Sequence, residues 1–568
     1  MLISTLNSLV LSASVAVLLI FTTAAPATPR LDPCGILGAK QFIPNAVTYK
    51  DVADCYEAIP YNHANAAKTL STIYTIFNEF YIFRDAALTP DLPAPFSSPP
   101  TDIVERLKTI LTTEYTRDFQ FHDYIRSQKY PDCRVLTIEG VDALTYIKAW
   151  ADEEVNFSRD AGVRLNHALS TQSYDPKTNT FVESPSPFSV RTNLPDMESL
   201  QYEIQCGQTE PIFLDEEWAI YVANTAPFKD VNSFIHNVCV TEPRAGELTE
   251  PARHQTQFTF QAPSTEDAAL TSFSDGPASG KLPQQFPGAE LITTGKESAF
   301  YHLSSQPDVG VIVISSFRAD PRLELPNYIN ALKSFHTRGV TKLVIDLQGN
   351  PGGFIKLAAN TIQTFFPSNE SISTSLASDL RVTPVIQQVA EASFRKTHSL
   401  YDASCFIDFD NKNQPYANNS LFLSLASNIR ILTDGRCGSA CAIVAHFLSN
   451  VHKVDAYAVG GTKAYQLSMF SFPGGIVSNR TVLSRYYADA GLASPLEPFT
   501  YSTHLGVTVL EIYAHGSATP LEYDAALYPA AYRVGYTTQN SRNRQVMWEA
   551  VAPHAWKRNN TVIEYDDF

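Results

Sequence analysis

The stretch that most constrains what this chain can fold into is Thr341–Phe354, Thr-Lys-Leu-Val-Ile-Asp-Leu-Gln-Gly-Asn-Pro-Gly-Gly-Phe. Leu343, Val344, Ile345 and Leu347 form a nearly continuous apolar run, the pattern of a short strand covered on both faces of a parallel sheet. Asp346 interrupts the run, and Gly349, Asn350, Pro351, Gly352 and Gly353 end it. Paired glycines leave main-chain N–H groups bare of side chain, so such a loop can serve as an oxyanion site.

About ninety residues later the plan repeats. Ile429, Ile431 and Leu432 end a strand, residues 433–438 make a turn, and residues 439–448 read as a buried helix. Ser439 therefore stands at a helix start, where two readings are open. Serine is a favoured N-cap and often does nothing more. Alternatively it is a nucleophile, because a helix N-terminus favours developing negative charge and the next N–H, that of Ala440, can face an oxyanion.

The flanks give these loops a frame. Val309–Ile314 reads as a strand, 325–336 as a helix, 355–366 as a helix and 456–459 as a strand. This order argues for a parallel or mixed α/β core. Ligands of such sheets lie beyond the carboxyl ends of the strands, where both loops fall.

Taken together, the two stretches resemble the tail-specific, or carboxyl-terminal processing, serine peptidases, and within them a subgroup like the chlamydial protease-like activity factor and its secreted fungal relatives, some of which accompany ribosomal-peptide mycotoxin clusters. The residues that carry the resemblance are Asp346-Leu347-Gln348-Gly349-Asn350-Pro351-Gly352-Gly353 and Gly435-Arg436-Cys437-Gly438-Ser439-Ala440-Cys441. The resemblance covers residues 300–535 well and the preceding region loosely. It implies a ClpP/crotonase-like α/β peptidase core, preceded by a mixed α+β region that holds a degenerate PDZ-like module. It also implies Ser439 as nucleophile and Ala440 with Gly352 or Gly353 as oxyanion donors.

For the base, the subgroup uses histidine with a glutamate, whereas other members use a lysine after the serine. Lys463 stands near the lysine distance without its usual Gly-Lys context. Glu497 lies near the carboxylate spacing, with Glu511 and Glu522 as alternatives. The family's Asp-Gly-His is absent: residues 115–127 read as the helix that leads to it, 134–143 as the strand and turn that follow, and only 128–133 lie between. His122 is the nearest candidate, a surface helix histidine being the alternative; His63, His167 and His236 follow.

The rest of the chain fits an extracytoplasmic enzyme. Residues 9–21 form an apolar segment too short to span a bilayer, followed by Ala25-Pro26-Ala27, and 1–27 reads as a cleaved secretory signal. No membrane attachment is expected after its removal. Asn156, Asn369, Asn418, Asn479 and Asn559 open glycosylation sequons. A formal net charge of −16 argues against a nucleic-acid partner, which needs clustered Lys and Arg. Eight cysteines in such a chain favour disulfides over metal ligands. Cys34–Cys55 and Cys206–Cys239 are the expected pairs, and a link from Cys437 or Cys441 to another part of the chain would rigidify Ser439. Neither a metal nor an organic cofactor is expected.

Helices are expected over 64–82, 101–113 and 144–153 and short strands near 212–214, 218–222, 507–513 and 531–534. The expected division is 1–27 signal, 28–127 helical region, 128–262 PDZ-like and mixed β region, 263–300 linker, 301–535 peptidase and 536–568 tail. Three functions compete: a secreted serine endopeptidase acting on protein or precursor peptides, a peptide-binding pseudopeptidase without its histidine, and a crotonase-like acyl-transfer or hydratase enzyme, disfavoured by the signal segment and by the lack of a coenzyme A signature. Oligomeric state is open.

Overall fold

A computed structural model describes residues 31–43, 46–88, 100–112, 123–124, 133–155, 158–169, 171–184, 186–191, 194–220, 226–239, 286–366, 376–397, 426–462, 466–472, 477–499, 505–514, 517, 519–523, 529–537 and 539–557. The signal segment, residues 263–285 of the expected 263–300 linker, His122, Lys463, Cys405 and the sequons at Asn156, Asn369, Asn418 and Asn559 lie outside them.

The centre is a seven-stranded sheet whose spatial order follows the chain: β1 (Ala289–Thr294), β2 (Ser298–Leu303), β3 (Val309–Ile314), β4 (Lys342–Asp346), β5 (Ile429–Thr433), β6 (Asp455–Val459) and β7 (Tyr532–Val534). The first three strands run antiparallel to one another and the pairs from β3 to β7 are parallel. Parallel neighbours need crossovers. Helices α1 (Pro321–Thr337), α2 (Ile355–Phe365) and α3 (Ala440–His446) lie in those after β3, β4 and β5.

Alternation within each strand sorts the apolar side chains onto two faces. Ile312, Ile314, Leu343, Ile345, Ile429, Ile431, Ala456 and Ala458 share one core with the three crossover helices. Val309, Val311, Val313, Val344, Leu432, Tyr457, Val459 and Val534 share the other with Met547, Trp548 and Val551 of α4 (Arg544–Lys557). The sheet is thus covered on both sides, as its unbroken apolar runs require. Burying a side chain as large as Trp548, which is fully enclosed, contributes roughly 2–3 kcal/mol.

Ahead of the sheet, Arg134–Ile138, Val141–Asp142, Ser199–Gln205 and Ile212–Glu217 form a four-stranded antiparallel sheet. It shares a core with the helices Pro33–Lys40, Tyr49–Ala58 and Ala143–Glu154. The helix His63–Thr75, prolonged by one wider turn to Phe80, packs Ile76 and Phe80 against Leu483, Tyr487, Leu496 and Val507. No helix among the described residues is long and apolar enough to cross a membrane.

Four expectations are corrected, and residues 289–300, expected within the linker, instead form β1 and the start of β2. Within 115–127, Asp123–Tyr124 is a strand paired on both sides, with Val190–Arg191 and Ala219–Ile220; long-range pairing overrides the local helical spacing. Cys206 pairs with Cys133, not Cys239, because the register Arg134↔Gln205 brings the adjacent cysteines opposite each other. Cys437 pairs with Cys441 rather than with a distant residue. The Cys34–Cys55 pair is present. Helix α1 begins at Pro321, four residues before the expected start, because Asp320 caps it and proline is well suited to a first helical position.

Candidate active site

Strand β4 ends at Asp346, and the glycine loop that follows is held by Asn350, which is fully buried. Its Nδ2 donates to Ile314 O (2.9 Å), its Oδ1 accepts from Gly352 N (2.8 Å), and its carbonyl accepts from Gly438 N (3.1 Å). One side chain thereby fastens the loop to the end of β3, closes the Pro351 turn, and sits where the loop backbone grips the turn after β5. The signal for this role was the Asn-Pro-Gly sequence, because asparagine often accepts from the backbone two residues on.

The turn after β5 is fastened to the same loop from its other end. Asp434, 1% exposed, accepts from Gly349 N (3.1 Å) and Arg436 N (3.0 Å) and pairs with Arg436 Nε (3.2 Å). Thr433 Oγ1 donates to Met469 O, Ser471 N to Cys437 O and Ser439 N to Phe472 O. The strap formed by residues 467–472 therefore runs alongside the turn. Sequence reasoning passed over Asp434, Arg436 and this strap, since their roles depend on partners distant in the chain.

Ser439 stands at the apex, at φ 50° and ψ −123°. Left-handed φ in a non-glycine residue costs on the order of 1–3 kcal/mol and persists where the surroundings enforce it. Its hydroxyl makes no capping hydrogen bond to α3, which removes the plain N-cap reading. The next residue, Ala440, is the first of the helix, so its N–H has no acceptor within the helix.

Gly352 meets this apex directly. A Cβ on Gly352 would lie 2.5 Å from Gly438 O, 2.7 Å from Ser439 Cβ and 3.0 Å from Ala440 N, and its φ is +99°. Only glycine permits that approach. Phe317 N donates to Gly352 O and Phe354 N to Phe317 O. In this pairing Gly353 N–H points away from Phe317, while Gly352 N–H is taken by Asn350. Of the two glycines, Gly353 is the one whose N–H is not committed within the loop.

The other expected residues within the described part of the chain are engaged as follows. Glu497 pairs with Lys68 at 3.2 Å and its side chain is 58% exposed; none of its described bonds reaches the Ser439 turn. Glu522 pairs with Arg159, and Glu511 accepts from Tyr513. His63 is exposed at the start of its helix, and His236 is also exposed. His167 lies on the helix Ala161–Ala168, which covers the turn. From that helix, Val163 abuts Gly435, and Asn166 donates to Asp434 O and Val459 O. Burial, with Arg436 nearby, holds the His167 imidazole down to about 4. His446, at the end of α3, is likewise depressed to about 4 by burial, with Lys453 adding to it. Asn479 is exposed and caps the helix Arg480–Asp489.

On the opposite flank of the glycine loop, Asp346 is buried and accepts from Trp548 Nε1 (2.8 Å) and Gln348 N (3.0 Å), with Arg544 Nη1 at 3.4 Å. Beside it is a cavity of about 60 Å³ bordered by Ser315, Gln348, Gly349 and Arg544.

The chain can be set beside known proteins at this point. Residues 308–467 match the sequence profile of peptidase family S41. No curated protein sequence matches the chain. Among solved structures, mature CPAF aligns over 88% of this chain and 99% of its own, at 11% identity and TM-score 0.47. Mature CPAF complexed with lactacystin aligns over 87% and 98%, at 12% and 0.45. The photosystem II D1 C-terminal processing protease aligns over 84% and 94%, at 9% and 0.26. At these values none of the superpositions locates a residue or an activity in this chain. The profile match spans both the glycine loop and the Ser439 turn, and the chain therefore carries a peptidase family S41 domain over residues 308–467.

Proposed function

We propose that this chain is a secreted serine endopeptidase with Ser439 as its nucleophile. The observation that carries the reading is the strained, uncapped Ser439 at a strand–turn–helix apex, packed against Gly352. Such an apex presents a hydroxyl at the carboxyl end of a sheet with helix N–H groups beside it. In this reading Ser439 Oγ attacks a peptide carbonyl and forms a tetrahedral oxyanion. Ala440 N–H and Gly353 N–H stabilise that charge, the Gly352 N–H being taken by Asn350, each such donor being worth about 3 kcal/mol in the transition state. A base must take the serine proton and return it to the leaving amine; His122, oriented by Glu497, is the proposed pair.

The finer proposals rest on the family resemblance: secretion after loss of residues 1–27, a degenerate PDZ-like module over the four-stranded sheet, and a protein or ribosomally made precursor peptide as substrate. A second reading, a peptide-binding pseudopeptidase, is supported by the pairing of Glu497 with Lys68 among the described residues. Incubating the purified chain and its Ser439→Ala variant with a protein digest and following new peptide termini by mass spectrometry separates the two. Cleavage by the wild type alone supports the peptidase; peptide retention with no cleavage by either protein supports the binder.

A further inference from the structure

We propose that the Cys437–Cys441 disulfide is a positioning element of the serine site: it closes a ring around Gly438, Ser439 and Ala440 that holds Ser439 in its left-handed conformation with Ala440 N–H beside Gly352. This rests on Ser439 being the nucleophile.

The bond joins the residues two before and two after Ser439, with Cα atoms 5.2 Å apart, and both cysteines are fully buried. It closes the shortest loop of the three disulfides among the described residues, a separation of 4 against 21 and 73. A cross-link stabilises a fold by restricting the unfolded chain, an effect that grows with loop length. General stability is therefore the role for which this bond is least suited. Its effect is local.

What it opposes can be named. A serine at a helix start has a more comfortable alternative, with extended φ and its hydroxyl turned inward to cap the helix. Reaching it from φ 50° would swing residues 437–438 relative to the first turn of α3. Hydrogen bonds restrain parts of this segment: Gly438 N to Asn350 O, Ser471 N to Cys437 O, Ser439 N to Phe472 O and, bracketing the apex, Cys441 N to Gly438 O. None of them spans the apex from Cys437 to Cys441. The disulfide does, and its geometry admits only a narrow range of Cα separations. Without it, Ser439 can relax into the cap, withdrawing its hydroxyl and re-aiming Ala440 N–H.

The test compares wild type, Ser439→Ala and the double variant Cys437→Ala/Cys441→Ala, by the rate of fluorophosphonate labelling at Ser439 and by kcat and KM on one cleaved peptide. Loss of positioning predicts labelling and kcat reduced about 10- to 100-fold, with KM within about twofold and the melting temperature little changed. Labelling and kcat within twofold of wild type would overturn the proposal while leaving the nucleophile in place. Absence of Ser439-dependent labelling in the wild type would overturn both. Should the double variant not fold, the Cys34→Ala/Cys55→Ala chain is treated with a water-soluble phosphine, which gives two electrons to the disulfide and takes the oxygen of one water to become its oxide, while that water's two protons complete the two thiols. Mass spectrometry identifies the bond opened, and the labelling rate must fall with the 437–441 bond and recover on reoxidation. A rate that does not follow that bond contradicts the proposal.

Discussion

Gly352 and Ser439 come from loops about ninety residues apart and approach so closely that a Cβ on the glycine would stand 2.7 Å from the Cβ of the serine. The contact aligns the backbone of one loop with the first N–H of α3, and it fixes what substitutions can do. In Gly352→Ala the added methyl meets Gly438 O and Ala440 N, main-chain atoms that cannot turn aside. Hydrolysis is expected to fall at least about 100-fold, measured as kcat/KM on a cleaved peptide.

Asn350 joins three segments through buried bonds, so Asn350→Ala leaves Ile314 O and Gly352 N without their partner. A loss of about 3 kcal/mol is expected, read as a lowered urea midpoint. Asn350→Asp keeps the acceptor for Gly352 N but loses the donor to Ile314 O, and its cost should be no smaller because it also buries a charge.

The strand and loop at 341–354 were legible because their chemistry is local: an apolar run, then glycines. The apex at Ser439 was legible as a helix start, but cap and nucleophile are the same letter; only the backbone angle and the missing cap bond separate them. Asp434, Arg436 and Asn350 were not legible as a set, since each derives its role from a carbonyl or amide on another strand. Cys206 was paired with the wrong partner for a similar reason, because strand register rather than sequence distance put it opposite Cys133. Residues 536–568, expected only as a tail, supply Arg544 and Trp548, which close over Asp346 beneath the glycine loop; nothing local to them signals that long-range role.

That closure gives a double-mutant test. Arg544→Met leaves the buried Asp346 carboxylate without its cation and should cost about 3–5 kcal/mol. Adding Asp346→Asn removes the stranded charge, so the pair of changes should cost less than the sum of the two singles, measured by denaturant unfolding of all four proteins.

Acid should weaken the fold through His446. Folded, it titrates at about 4; in the unfolded chain, near 6.5. Between those values the unfolded chain binds a proton that the native state refuses. The stabilisation is therefore complete above pH 6.5 and is lost as pH falls through 4, amounting to at most about 3 kcal/mol. His167 acts in the same direction. Unfolding free energies across pH 4–7 should show a shallower acid slope in His446→Gln than in wild type.

The most direct measurement is to map the site of covalent labelling when the intact chain is treated with a fluorophosphonate at neutral pH. One label per chain on the peptide containing Ser439, absent from a folded Ser439→Ala variant, is the expected result. A folded wild type that takes no label at Ser439, or a Ser439→Ala variant that labels equally, would contradict a nucleophile at the place where the two loops meet.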